Sequence, residues 1–300
     1  VKPNKVMVVV LFTLLGFGLA CVFVLIQRTL NRGIKDHLEL EVIGIPVYAT
    51  IPQSGNISNK KISPTKSKKT EPDLLVTSHP TDITVEAFRS LRTSLHFAML
   101  DAKNNIIAIS GPSPGIGKSF VSVNLAAVIA QTGKRVLIID GDMRRGDLHE
   151  HVGLKFKGGL TGYLSGQYQL DEVIRTTLVD GMDILPRGIV APNPAELLMH
   201  QRFSDLISST SEKYDFVIID TPPILAVTDP AIIASYAGTT LLVARFEITH
   251  LKELEITQKR FKQNGVDVKG IVLNAIQKSS GKSYGYVGYY NYEYSSNKSM

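Results

Sequence analysis

The longest apolar stretch of the chain lies near its N-terminus. Residues 6–26 read VMVVVLFTLLGFGLACVFVLI and contain no charged side chain. At about 1.5 Å per residue, a helix of this length spans the roughly 30 Å hydrocarbon core of a bilayer. The pattern therefore predicts a transmembrane helix with a short flank over residues 1–27.

The charges that flank this stretch set its expected orientation. Arg28, Arg32 and Lys35 follow it, whereas Lys2 and Lys5 precede it. Because the cytoplasmic flanks of membrane helices carry an excess of Lys and Arg, we expect the C-terminal side in the cytoplasm, although the two preceding lysines weaken the asymmetry.

A secretory signal peptide is the alternative interpretation, because GLAC at positions 18–21 resembles a lipoprotein cleavage site. Apolar residues continue past Cys21, however, and no small-residue cleavage site ends the run. The sequence begins at Val1 without an initiator Met. We therefore expect a fragment of a longer protein whose preceding part lies outside the membrane.

A change of pattern near Thr81 predicts where the folded domain begins. Residues 28–80 are rich in Ser, Lys and Pro around one short apolar stretch, IGIPVYATIP, and are predicted to be a juxtamembrane linker. From Thr81 onward, apolar segments alternate between helical and strand periods. Helices are predicted at 83–100, 119–131, 194–209, 229–236 and 250–263, and strands at 105–110, 135–140, 215–220, 239–245 and 268–274.

The predicted strands are short and almost continuously apolar, and helices separate them. This is typical of a mostly parallel sheet that helices cover on both faces, which makes 81–277 one α/β domain. The remaining segment, 278–300, has the polar composition of a disordered tail.

Composition narrows the possible partners. The mean hydropathy of +0.08 is high for a soluble chain, and the net charge is +6. The excess of Lys and Arg lies close to the apolar helix, which favours anionic lipid headgroups over nucleic acid. The single cysteine excludes an intrachain disulfide and a Cys-rich zinc site.

A glycine-rich loop between a predicted strand and a predicted helix indicates a phosphate site. SGPSPGIGKSF follows the strand that ends at Ser110. Gly115 and Gly117 allow the backbone N–H groups to face a phosphate, Lys118 can reach it, and Ser119 can bind Mg²⁺. The first glycine of the usual spacing falls on Pro112, with Gly111 one place early, so the match is imperfect.

Two further strands end in carboxylates. VLIIDGDMRRG places Asp140 and Asp142 after one strand, and FVIIDTPP places Asp220 at the end of another. Ligands of open α/β sheets bind at the carboxyl ends of the strands, so these residues and Lys118 predict a magnesium–nucleotide site. Either strand alone is equally compatible with an aspartate that merely caps a loop.

The C-terminal segment contains six of the eleven tyrosines of the chain within eleven residues. Disorder alone explains such a composition, and a set of modification or stacking sites is the alternative. The predicted acceptor tyrosines are Tyr284, Tyr286, Tyr289, Tyr290, Tyr292 and Tyr294.

Together these segments resemble the bacterial tyrosine autokinases of the Wzc-like polysaccharide co-polymerase family. The resemblance rests on EAFRSLR, GPSPGIGKS, VLIIDGDMRRG and VIIDTPP, on the membrane helix before them and on the tyrosine-rich tail after them. It extends over nearly the whole chain, and it implies a P-loop NTPase-type fold.

The resemblance implies a membrane-anchored protein-tyrosine autokinase that uses ATP and Mg²⁺. It places the kinase domain on the cytoplasmic side of the bacterial inner membrane. It also implies a homo-oligomeric ring whose subunits phosphorylate one another's tails in trans. A cognate tyrosine phosphatase and the polysaccharide polymerase and export machinery are its implied partners, with no nucleic acid.

The resemblance also assigns individual residues. Lys118, Asp140 and Asp142 are the expected catalytic residues, and Ser119, Asp142 and Asp220 the expected metal ligands. The expected nucleotide-binding residues are Gly111, Ser113, Pro114, Gly115, Ile116, Gly117, Lys118, Ser119, Phe120, Arg144 and Asn274, the last as an adenine contact. Glu86, Arg89 and Arg92 become an oligomer contact, although their spacing alone predicts only a solvated, salt-bridged helix face.

Two positions depart from the patterns of related families. Partitioning ATPases carry a signature lysine where this chain has Ser113, which favours the kinase branch. Asp147 lies where some members carry a regulatory tyrosine, so that control is either absent or replaced by a fixed charge. An ATPase scaffold that assembles without kinase activity, and a partitioning-type ATPase on DNA, are the alternatives.

Overall fold

The computed structural model describes residues 5–30, 33–36, 38–54 and 74–277. The tyrosine-rich segment 278–300 and residues 55–73 of the predicted linker lie outside these ranges. The six predicted acceptor tyrosines are therefore outside the described residues.

The first helix is the predicted apolar one. Helix α1, Lys5–Leu30, contains a candidate membrane span, Lys5–Phe23, with a mean hydropathy of 2.7 and none of its side chains buried in the protein. Its length and composition suffice to cross a bilayer, although a signal sequence near an N-terminus has the same features. The short helix α2, Leu38–Glu41, follows it.

An eight-stranded sheet forms the centre of the domain. Its strands are β1 Val47–Pro52, β2 Ile106–Ser110, β3 Val136–Asp140, β4 Arg175–Thr176, β5 Met182–Leu185, β6 Phe216–Asp220, β7 Thr239–Arg245 and β8 Val268–Ile276. They lie in the order β1-β8-β7-β2-β6-β3-β5-β4. All neighbours are parallel except β4 and β5, which confirms the predicted mostly parallel sheet.

Helices cover both faces of this sheet. They are α3 Leu75–Ser78, α4 Ile83–Ala98, α5 Lys118–Ala130, α6 Leu148–His151, α7 Leu160–Leu164, α8 Leu170–Val173, α9 Pro194–Met199, α10 Gln201–Lys213, α11 Asp229–Tyr236 and α12 Leu251–Gln263. Alternate strand residues face opposite layers: Ile107 and Ile109 lie in the core with α4 and α5, and Ile106 and Ala108 in the core with α10, α11 and α12.

The predicted domain boundary at Thr81 differs from the structure. Strand β1 and helix α3 both belong to the segment predicted as linker, yet β1 pairs with β8 and Leu75 is buried beneath α5. Pro52, at the end of β1, is compatible with this position because an edge strand needs fewer N–H donors than a central one. Tyr48 of β1 covers Gly270, which leaves no room for a side chain there.

Several other elements differ from the prediction. The helix predicted at 194–209 is two helices, because His200 is extended between α9 and α10 and its ring nitrogen accepts the N–H of Arg202. Strands β4 and β5 were not predicted, since they are only two and four residues long and such runs carry little periodic signal.

Candidate active site

The loop between β2 and α5 has the conformation that a phosphate-binding loop requires. Gly115 and Gly117 have φ of 75° and 93°, which a residue with a Cβ adopts only under strain. Gly111 lies so close to Ile116 and the Val243 carbonyl that a Cβ there would overlap both. A side chain is therefore sterically disfavoured at all three glycine positions. This includes Gly111, which lies one place before the usual first glycine of the loop.

The N–H groups of this loop are available to a ligand. Within the described residues, those of Gly115, Ile116 and Gly117 have no backbone hydrogen-bond partner. They precede the N-terminus of α5, where the helix dipole favours an anion. Ser113 and Pro114 lie on the same loop, whereas the Phe120 ring packs edge-on against Phe88 of α4, 5.7 Å between centroids. The predicted contact of Phe120 with nucleotide stays a prediction.

Lys118 is the cation of this site and is 8% exposed. Burial lowers the pKa of Lys118, and the nearby carboxylates of Asp220, Asp142 and Asp147 oppose that shift. The structure thus brings the predicted catalytic lysine together with two of the predicted carboxylates.

Asp220 is completely buried beside the phosphate loop, and both of its oxygens accept hydrogen bonds. Ser119 Oγ donates to Oδ2 at 2.7 Å, and Ser122 Oγ donates to Oδ1 at 2.9 Å. Burial raises the pKa of Asp220 to about 6, and Lys118 and the two hydroxyls oppose that rise. Ser122 was not predicted, although it lies three residues after Ser119 and therefore on the same face of α5.

Asp140 has a different environment one strand away. Its carboxylate is fully buried, and Oδ2 accepts the Leu148 N–H at 3.3 Å, while Oδ1 has no hydrogen-bond partner among the described residues. Gly146 lies directly against it, so that a Cβ at 146 would overlap the carboxylate. Burial raises the pKa of Asp140 well above its usual range, and the neighbouring Asp220 adds to the shift.

Asp142 and Arg144 shape the loop after β3. Asp142 Oδ1 accepts the N–H groups of Arg144 and Arg145, at 3.1 and 2.9 Å. The guanidinium of Arg144 donates twice to the buried Asp229 at the start of α11, at 3.0 and 3.3 Å. Arg144 is therefore committed to Asp229, a partner that the sequence did not indicate. Its predicted contact with nucleotide stays a prediction.

Asn274 lies at the edge of the phosphate loop. Its Nδ2 donates to the carbonyl of Ile116 at 3.0 Å, and its Oδ1 accepts the N–H of Ala275 at 2.8 Å. The predicted contact with adenine is not tested by these bonds. Arg245 was not predicted to lie here, yet its guanidinium donates to the Gly115 carbonyl at 2.8 Å.

The residues of this site fit a magnesium–nucleotide. Among the described residues, no group of three or more His, Cys, Asp or Glu side chains could hold a metal ion by itself. Mg²⁺ bound with nucleotide usually takes one or two carboxylates from the protein and completes its shell with water and phosphate oxygens. Ser119 and Asp220, in contact with each other, and Asp142 near Lys118 meet that requirement.

The predicted oligomer face lies on α4, outside this site. Glu86 and Arg89 form an ion pair one turn apart, and Arg92 donates to the Val128 carbonyl of α5 at 3.4 Å. The first two are partly exposed, as the spacing alone predicts. Their role in assembly stays a prediction.

Comparison with known proteins adds independent information. Residues 104–262 match the family model described as AAA domain. The chain is 49% identical over 300 residues to the "Tyrosine-protein kinase wzc" of Salmonella typhimurium, covering 98% of this chain and 41% of that protein. It is 48% identical over 288 residues to a "Putative tyrosine-protein kinase in cps region" of Klebsiella pneumoniae, covering 95% of this chain and 40% of that protein.

Among solved structures, the kinase domain of the Escherichia coli tyrosine kinase ETK is similar at a TM-score of 0.78 and 44% identity. The match covers 85% of this chain and 99% of that domain. The chain thus contains the equivalent of that whole domain, and it spans about two fifths of the length of the curated relatives it matches.

Proposed function

The chain belongs to the Wzc-like family of bacterial tyrosine kinases, and on that basis we propose that it transfers the γ-phosphoryl group of ATP to tyrosine hydroxyls. The observation that carries the proposal is the buried Lys118 beside the hydrogen-bonded Ser119 and Asp220, directly after a loop with free N–H groups. Binding and charge neutralisation of phosphates are what this arrangement provides.

The residues around the loop have separable tasks in this proposal. The N–H groups of Gly115, Ile116 and Gly117 bind the phosphate oxygens, and Lys118 stabilises the charge that develops on them. Ser119, Asp220 and Asp142 would hold Mg²⁺, which supplies further charge neutralisation when bound. Ser119 would contribute its hydroxyl oxygen to this site, beside the Asp220 carboxylate to which it now donates.

A carboxylate completes the reaction. The tyrosine oxygen attacks the γ-phosphorus, the bond from that phosphorus to the β–γ bridging oxygen breaks, and ADP leaves. The proton of the tyrosine hydroxyl passes to an aspartate at the end of β3, either Asp140 or Asp142. Of the two, Asp142 is partly exposed and Asp140 has the raised pKa that favours proton acceptance.

The tail provides the proposed acceptors. Six tyrosines within eleven residues give a high local concentration of acceptor hydroxyls, and a tether makes their delivery nearly independent of which tyrosine is used. Transfer in trans requires neighbouring subunits. We therefore propose that the α4 face of Glu86, Arg89 and Arg92 mediates a ring-shaped homo-oligomer.

The location follows from α1 and from the family. We propose that α1 anchors the chain in the bacterial inner membrane with the kinase domain in the cytoplasm. The Klebsiella relative belongs to a cps region by its name. Phosphorylation would accordingly regulate chain length and export of a capsular or exocellular polysaccharide together with the polymerase and export machinery, and a cognate phosphatase would reverse it.

The proposal is tested with the full chain in detergent, wild type against Lys118→Met. We expect phosphotyrosine to appear only in the wild type and only with Mg²⁺ and ATP, because the substitution removes a charge at the phosphates and no core packing. Nucleotide binding and oligomerisation by the wild type without any phosphotyrosine would instead favour the scaffold interpretation, which no observation on the structure favours at present.

A further inference from the structure

Two neighbouring strands end beside the phosphate loop, and each donates one hydrogen bond to it. Arg245 closes β7 and Asn274 lies on β8, and the two are Cα partners in the register of the sheet. Arg245 Nη1 donates to the Gly115 carbonyl at 2.8 Å, and Asn274 Nδ2 donates to the Ile116 carbonyl at 3.0 Å. Two successive loop carbonyls are thus held by two adjacent strand ends.

We propose that Arg245 and Asn274 form a clamp that holds the phosphate loop with its N–H groups turned toward the phosphates. In this role Arg245 and Asn274 are positioning residues for the phosphoryl transfer, acting through the loop. The inference rests on the proposed function, because it assumes that the loop binds phosphate.

The planarity of the peptide group links each loop carbonyl to the N–H group of the next residue. In a trans peptide the carbonyl of one residue and the N–H of the next point in opposite directions. The Gly115 carbonyl shares its peptide plane with the Ile116 N–H, and the Ile116 carbonyl shares its plane with the Gly117 N–H. A donor on each carbonyl therefore fixes both N–H groups away from the strand ends, toward the free side of the loop.

The Asn274 half of the clamp is rigidly built. Its side chain is buried and bonded at both amide atoms, since Oδ1 accepts the N–H of Ala275. Ala275 has φ of 60° without being glycine, a strained conformation that surrounding structure must maintain. A Cβ on Gly117 would overlap Asn274 Nδ2, so the glycine is required for this approach as well as for its own φ.

The backbone of Arg245 is held by the loop that follows β7. The N–H of Arg245 donates to Thr249 Oγ1 at 2.8 Å, and Thr249 is fully buried. Glu247 between them has φ of 58°, the second non-glycine residue with positive φ among the described residues. Each of these two strained residues of the described chain thus lies within two positions of a residue that contacts the phosphate loop.

Binding of ADP and of inorganic pyrophosphate by the full chain tests the clamp, because pyrophosphate has no base. The variants are Arg245→Ala, Arg245→Lys and Asn274→Ala. Arg202→Ala is the matched control, since Arg202 also donates to a backbone carbonyl, that of Tyr163 at 2.9 Å, but in the α7–α10 contact. The KM for ATP, the kcat and the melting temperature are measured on the same preparations.

We expect Arg245→Ala and Asn274→Ala each to lower the affinity for ADP and for pyrophosphate by about tenfold. This is the effect of losing one hydrogen bond to a charged or buried group. The KM for ATP should rise by a similar factor. Arg245→Lys, which can still donate once, should recover most of the affinity. A merely structural loss would instead lower kcat through the active fraction and leave KM unchanged. Arg202→Ala should leave both affinities unchanged.

Three results would overturn the clamp. Unchanged affinity of Arg245→Ala for ADP and pyrophosphate would show that Arg245 does not hold the phosphate loop. Weaker ADP but unchanged pyrophosphate in Asn274→Ala would make Asn274 a base contact instead. If Arg245→Ala does not fold, wild-type affinity of Asn274→Ala for both ligands would also refute it. A wild type that binds neither ligand would refute the proposed function itself.

Discussion

Asp140 and Asp220 follow the same pattern, an apolar strand that ends in an aspartate, and they are paired in register on β3 and β6. Their surroundings nevertheless differ. Asp220 has a hydroxyl donor on each oxygen and Lys118 nearby. Asp140 has one long backbone hydrogen bond, no partner on its other oxygen among the described residues, and Gly146 in direct contact.

This difference shows that a strand ending in aspartate predicts the position of the carboxylate but not its chemical environment. The sheet fixes where each carboxylate lies, but the next element decides its chemistry. Helix α5 brings two serines to Asp220, so that both of its carboxylate oxygens accept a hydrogen bond. The loop 141–147 covers Asp140 instead, which isolates a carboxylate with a raised pKa. We therefore expect Asp220 to serve metal binding and Asp140 to depend on the loop above it.

The largest effect is expected from Asp220→Asn. The amide keeps the size of the side chain but removes the negative charge, and it cannot accept from both serines with both of its atoms. Phosphotransfer should fall by at least about 100-fold, with a weaker dependence on Mg²⁺ concentration. Asp215→Asn, directly before the first residue of β6, is the matched control. Equal activity of the two variants would contradict a metal role for Asp220.

A smaller but structural effect is expected from Gly146→Ala. The added methyl would overlap the Asp140 carboxylate, so the loop 141–147 must move. We expect a loss of about 1–3 kcal/mol in the free energy of unfolding, measured by denaturant titration. An unchanged free energy of unfolding in Gly146→Ala would mean that the loop is free to rearrange.

Asp140→Asn separates stability from activity. Because burial disfavours the charged form of Asp140, the neutral amide should leave the free energy of unfolding unchanged or raise it by up to about 1 kcal/mol. Phosphotransfer should fall at least about tenfold if Asp140 accepts the proton. The Mg²⁺ dependence should stay that of the wild type, in contrast to Asp220→Asn. If Asp140→Asn also changed the Mg²⁺ dependence of phosphotransfer, the assignment of metal binding to Asp220 and not to Asp140 would be wrong.

The smallest effect is expected from Ser122→Ala. It leaves Asp220 Oδ1 without its hydroxyl donor, which should lower the free energy of unfolding by about 1–2 kcal/mol. Activity should stay within a few-fold of the wild type, because Ser119 still contacts Asp220. Ser119→Ala is the comparison, since it should reduce activity much more. Equal losses of activity in the two variants would mean that Ser119 acts only as a structural donor.

The sequence predicted the central strands and their helices because these segments are long enough to show a period. It also predicted the phosphate loop, whose glycines and Lys118 have a recognisable spacing. Strand β1 was assigned to the linker, since six residues that end in proline carry little strand signal. Its position depends on pairing with β8, which is more than 200 residues away in the chain.

The partners of the site residues could not be predicted in the same way. The pairs of Arg144 with Asp229 and of Arg245 with the Gly115 carbonyl join residues 85 and 130 positions apart. No local pattern records such contacts, because the order of the strands creates them. The cluster of Ser119, Ser122 and Asp220 could be predicted in part. The two serines share a helix face, but only the placement of β6 beside β2 brings the carboxylate to them.

A mixing experiment tests the central claim, that the Lys118 site phosphorylates the tyrosine tail of another subunit. One chain carries Lys118→Met and an intact tail, and the other carries the wild-type site with all six tail tyrosines changed to Phe. After incubation with ATP and Mg²⁺, mass spectrometry locates phosphate on each chain. We expect phosphotyrosine between positions 284 and 294 of the Lys118→Met chain only in the mixture. No phosphate on that tail, while wild-type chains alone become phosphorylated there, would contradict transfer between subunits.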